Sequence, residues 1–118
     1  MDQQNLAAKN RRLAKRKLPK RGIQVVCQKG LWGLGPNLAI SVLDVSEAGI
    51  RLILKSPLER RQEFLVTLSA PGNGKIVKAV AKVAWSVETA EGTYCVGASF
   101  EKRMAYIDLL TLVSASSA

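Results

Sequence analysis

Between Ile23 and Phe100 the chain keeps returning to one pattern: a short run with an apolar side chain at every second position, then a cluster of Gly, Pro, Asn or Ser. The clearest run places Val77, Ala79, Ala81, Val83 and Trp85 in alternation with positions that include Lys78 and Lys82. Successive side chains on a strand point to opposite faces, so this pattern specifies strands with one dry and one wet face. Such strands pair antiparallel through short turns. The runs predict six of them: Ile23–Gln28, Leu38–Leu43, Ile50–Leu54, Glu63–Ser69, Lys75–Trp85 and Thr93–Phe100. The expected inward sets are Ile23, Val25 and Cys27 in the first, then Leu38, Ile40 and Val42, then Ile50, Leu52 and Leu54, and in the fifth the series ending at Trp85. Lys75, Lys78 and Lys82 belong to a solvated face.

The connections carry their own signals. Gly30 to Asn37 is a loop rich in helix and strand breakers, Pro71-Gly72-Asn73-Gly74 is a tight turn, and Glu91-Gly92 closes another. Trp32, flanked by glycines, reads first as core or rim packing and second as an exposed contact residue. After Phe100 the period changes. Tyr106, Leu109, Leu110 and Val113 fall at the spacing of an amphipathic helix over Lys102 to about Ser114, which covers an end or side of the sheet. The expected fold is mainly β: a small six-stranded antiparallel β-barrel with a C-terminal α-helix and a flexible basic N-terminal arm. At 118 residues the chain suits one domain, with an arm over 1–22 and a barrel plus helix over 23–115.

Charge is concentrated in that arm. Residues 1–22 carry eight Lys or Arg against one acid, net +7 of the chain's +9, while the remainder has ten basic and eight acidic side chains. Residues 6–17 have fair helix propensity up to Pro19, so the arm is expected as a frayed helical turn or disordered until something anionic binds it. No histidine is present, which removes the usual general base near neutral pH, and two isolated cysteines, Cys27 and Cys95, make no zinc site. Both cysteines read as buried small hydrophobes. The start has neither the cationic nor the apolar region of a signal peptide, and no apolar stretch approaches the length of a membrane helix. A cytoplasmic protein without membrane insertion is expected.

Two features combine into a candidate site. One is the basic run containing Arg12, Arg16, Lys17, Lys20 and Arg21; the other is Asp44-Val45-Ser46-Glu47-Ala48-Gly49 between two strands. Guanidinium groups fork onto phosphates and lie flat on rings. A carboxylate in a short turn can accept from the N–H edge of a ring, a Ser hydroxyl can donate or accept beside it, and Gly49 allows a close approach that a Cβ blocks. The plainer reading is an Asx-type turn whose side chains only cap backbone N–H groups. Arg51 follows on the polar face, within approach of the same ligand.

With these parts, the strand Tyr94-Cys95-Val96-Gly97-Ala98-Ser99-Phe100 and the helix after it, the chain resembles the PilZ domain, a bacterial family that binds cyclic di-GMP. The likeness covers roughly residues 12 to 113. It implies a cyclic di-GMP receptor or adaptor in second-messenger signalling, with the ligand held between the arm and the turn by Arg12, Arg16, Lys17, Lys20, Arg21, Asp44, Ser46 and Gly49. The family's Arg-x-x-x-Arg spacing is met by Arg12/Arg16; Arg16/Lys20 and Lys17/Arg21 are alternative registers with one lysine. No cofactor is implied beyond that ligand, and a protein partner is. The competing readings are a PilZ-like protein-interaction adaptor that binds no nucleotide and a nucleic-acid binder using the arm as a phosphate clamp. No recognition-helix or RNA-binding pattern supports the last. Asp44 and Ser46 lack a base partner, so an enzyme is not expected.

Overall fold

The structure, a computed structural model, describes residues 15–72 and 74–117. Eight strands form one antiparallel sheet: β1 (Lys17–Pro19), β2 (Gln24–Lys29), β3 (Ala39–Val45), β4 (Gly49–Leu54), β5 (Glu63–Ser69), β6 (Ile76–Glu88), β7 (Tyr94–Phe100) and β8 (Val113–Ser117). A single short helix, α1 (Tyr106–Leu112), is present among the described residues. The sheet order is β2-β5-β6-β7-β4-β3-β1-β8. All six expected strands exist, and Glu63–Ser69 has the expected bounds. The closed six-stranded barrel is corrected to a curled half-barrel, because β2 and β3 share no ladder and β1 and β8 extend the sheet beyond β3.

The β2–β3 gap is bridged mainly by one side chain. Asn37 Oδ1 accepts from the backbone N–H groups of Cys27 (2.8 Å) and Ala39 (2.9 Å), and its Nδ2 donates to Val25 O at 3.2 Å. An amide that mimics a peptide group satisfies part of an edge that would otherwise be left unpaired. Inside the curl, Cys27, Leu52, Leu54, Phe64, Val66 and Val96 are fully buried, and Leu109 and Leu112 of α1 cap them. Cys27 packs as a small hydrophobe there, and burial pushes its thiol up to about 12. Cys95 is only half-buried, and both cysteines are free.

Three departures have physical causes. The β3 ladder shifts register between Ala39 and Ser41 and again between Val42 and Asp44. Each shift sets an extra residue against the partner strand, which reverses the facing of the residues beyond it. Ala39 is therefore buried and Ile40, expected inward, is exposed. The β6 ladder shifts in the same way between Val83 and Trp85, so Trp85 leaves the dry face and is 37% exposed. The helix is shorter than expected. Val113 is already extended and begins β8, which pairs with β1; of the expected stripe Leu109 and Val113 are buried, with Leu112 beside them, while Tyr106 and Leu110 are exposed.

The expected helical or disordered arm lies mostly outside the described residues, and Arg12 with it. Its last part is sheet: Lys17 pairs with Val45 of β3 and with Ser117 of β8, Pro19 pairs with Val113, and the Lys20 N–H donates to Leu112 O at 2.9 Å.

Candidate functional site

The Asp44–Gly49 segment divides into two parts with different duties. β3 runs through Asp44 and Val45, further than the sequence pattern indicated, and β4 begins at Gly49. Between them the turn is closed by its own groups. The Ser46 N–H donates to Gly49 O at 2.9 Å, and the Ser46 hydroxyl accepts from Ala48 and Gly49 N–H, each at 3.1 Å. Ser46 is buried in this role. Ser46 thus caps the turn, as a short hydroxyl side chain is suited to do. Gly49 is required by the sheet: a Cβ there would collide with Ala98 O of β7. Glu47 fastens the turn to the segment before α1, by an ion pair with Arg103 at 2.9 Å and by its carbonyl accepting from Met104 N–H at 2.7 Å.

Asp44 behaves differently. Val45 pairs with Ile50, a core residue, while Asp44 pairs with Arg51 on the outer face. Simple alternation from the buried Val42 would point Asp44 into the core; the bulge after Val42 turns it outward. It is nevertheless buried, because two guanidinium groups cover it. Arg51 Nε donates to Oδ2 at 2.8 Å, with Nη2 on the same oxygen, and Arg16 Nη1 donates to Oδ1 at 2.9 Å. Burial pushes the Asp44 carboxyl pKa up, but the hydrogen bonds and charges of Arg51 and Arg16 outweigh it, and the net direction is down. Arg51 is held more firmly protonated, first by its hydrogen bond to Asp44. Both arginines keep substantial exposure, 53% for Arg16 and 39% for Arg51, so N–H edges remain open to solvent.

The same outer-face row continues across the sheet. Arg51 pairs with Gly97, and Gly97 pairs with Trp85. A Cβ at Gly97 would run into the indole, so the ring lies directly on the glycine. The row therefore reads Trp85, Gly97, Arg51, Asp44, with Arg16 reaching in from the start of β1. Sequence reasoning placed Trp85 in the core and missed this position. Its only local signal was the Gly97 that leaves room for a ring.

The other basic residues that the structure describes lie on β1 and in the turn after it. Lys17 is half-buried in β1 opposite Val45. Lys20 and Arg21 line an open cleft of about 680 Å³, walled by Leu18, Ile23, Ile40, Ser41 and Val42, beside the first half of β3 and away from its Asp44 end. Arg16 and Asp44 are thus brought together, Lys20 and Arg21 line a cleft further along β3 to which Asp44 does not contribute, and Ser46 and Gly49 close the turn. Among the described residues no group of three or more His, Cys, Asp or Glu could hold a metal.

A small curled antiparallel sheet, entered by a basic strand that meets a carboxylate on the sheet's outer face, presents charged groups of both signs on one open surface. The family model for the PilZ domain matches residues 10–113, and the chain belongs to that family of cyclic di-GMP-binding and adaptor modules. No curated protein and no solved structure matches the chain.

Proposed function

We propose that the chain is a cyclic di-GMP receptor whose basic leader and outer-face row hold the ligand, and that the ligand-bound surface engages a protein partner. The supporting observation is the Arg16–Asp44 ion pair, which joins the leader and the Asp44 strand at one place although they are 28 residues apart. A leader held on the far side of the sheet would have no route to a common site.

The residue roles follow from the geometry. An ionised carboxylate offers about four lone-pair positions, and three guanidinium N–H bonds already address Asp44. Asp44 therefore acts first as a post that orients Arg51 and Arg16, with any contact to a guanine edge depending on Arg16 giving way. The freed guanidinium groups fork onto phosphate or stack on a base, each stacking contact contributing about 0.5–2 kcal/mol when desolvated. Trp85 offers a ring face in the same row. Lys17, Lys20, Arg21 and Arg12 supply phosphate neutralisation, with lysine acting as a point charge where arginine would fork. Ser46 and Gly49 shape the turn and contribute to binding through the backbone they fix.

Calorimetric titration with cyclic di-GMP, with cyclic di-AMP as control, tests this. Saturable, guanine-selective binding that Arg21→Ala and Asp44→Ala each weaken supports it; equal heats from the two dinucleotides sink it. The second reading is a nucleotide-independent adaptor. It is favoured by the lysines in the two strand-proximal registers and by the engagement of both Asp44 carboxylate oxygens with protein cations.

A further inference from the structure

Trp32, expected first as a packing residue, is 85% exposed, with Leu34 at 73% and Leu31 at 45% beside it. The loop that presents them is built, not loose. The Gln28 side-chain amide donates to both Gly33 O and Gly35 O at 3.0 Å, and Gly30, Gly33 and Gly35 supply positive φ angles of 85°, 67° and 93°. Its first foot is tied by Gly30 N–H to Glu63 O at 3.1 Å, and its second by Leu38 N–H to Cys27 O at 2.8 Å. Exposed lysines flank both feet: Lys29 precedes the loop, and Lys55 donates its backbone N–H to Leu38 O at 2.9 Å.

A contiguous apolar projection on a small protein marks an interaction site. We propose that the Gly30–Pro36 loop is a shallow anchor for an anionic lipid surface. The projection is convex and needs no shaped pocket, only a medium that takes apolar side chains at headgroup depth, where Trp is favoured. The flanking Lys29 and Lys55 match a negative surface, and the basic leader, which carries +7 of the chain's +9, adds attraction to the same surface at longer range. No helix among the described residues is long and apolar enough to cross a membrane, and a loop of this size lies in the interface rather than spanning it. Asp44 stands at the other end of β3 from the loop, roughly 15 Å away by strand rise, so a docked loop leaves the Asp44 row uncovered.

The test is co-sedimentation of the full chain with vesicles of phosphatidylglycerol and phosphatidylcholine, against phosphatidylcholine alone. Indole emission is followed in parallel in a Trp85→Phe background, where Trp32 is the remaining tryptophan. The expected result is salt-sensitive association with the anionic vesicles, a blue shift of Trp32, and roughly tenfold weaker association for Trp32→Ser or Leu34→Ser. Circular dichroism establishes that these surface variants fold. Three results overturn the proposal: no association with anionic vesicles at low salt; equal association of wild type and Trp32→Ser, which assigns the attraction to the basic leader alone; or Trp32 emission unchanged by vesicles and shifted only by a soluble protein, which assigns the loop to a protein pocket.

Discussion

Asp44 and Ser46 are two residues apart and both are buried, but they are buried by different things. Ser46 is enclosed by its own turn, and its hydroxyl serves the backbone of Ala48 and Gly49. Asp44 is enclosed by two exposed cations, one of them from the leader. One six-residue segment thus contains a half closed by its own backbone and an outward half held by solvated cations, the half that the proposed function assigns to the ligand. The contrast predicts that substitutions in the two halves separate stability from binding.

Gly49→Ala breaks the comparison most severely. The added Cβ meets a backbone oxygen in the β4–β7 ladder, a clash that no rotamer change relieves. A loss of about 3 kcal/mol or more in chemical denaturation is expected. Asp44→Ala comes next. It leaves Arg16 and Arg51 facing each other without a counter-ion, and the expected loss is about 1–2 kcal/mol, reduced because both cations are partly solvated.

The same residue sets a pH signature. Its native pKa lies below the ordinary aspartate value, so its stabilisation is complete above roughly pH 4 and disappears as the pH falls through the lowered native value. Denaturation midpoints measured from neutral to acidic pH fall over that acid window in the wild type, and Asp44→Asn flattens this part of the profile. An unchanged slope in Asp44→Asn removes Asp44 as its source.

Ser46→Ala costs about 1 kcal/mol through the lost turn cap and leaves cyclic di-GMP affinity within about twofold. Arg16→Ala reverses those proportions. An exposed ion pair contributes at most about 0.5 kcal/mol to stability here, while loss of a guanidinium from the ligand weakens binding roughly tenfold, about 1.4 kcal/mol. Titration calorimetry and denaturation on the same two variants decide whether the halves are separable.

Much of the architecture was legible. The alternation over Ile50–Leu54 gave both the strand and its inward residues, and Glu63–Ser69 has the expected bounds, because a straight strand with a uniform register obeys period two. The pairing of a basic run with the Asp44 turn was also visible as composition. The residues that alternation mispredicted sit at the bulges: Ile40 and Trp85 fit a core pattern and emerged outside. A bulge answers to the register of the partner strand, so local sequence does not announce it. Arg51 was within view, whereas the β1–β8 pairing, which fixes Lys17 and Pro19 in the sheet, left no periodic trace in a three-residue strand.

The sequence by itself determined which side chains are apolar, where the chain turns and where positive charge accumulates, since each follows from residue type and local spacing. Tertiary structure alone decided that Asp44, Arg51, Gly97 and Trp85 share one outer row and that Arg16 closes on it. Residues that distant in the chain become neighbours only when four strands adopt one register, and two inserted residues in that register turn a carboxylate and an indole from the core to the surface.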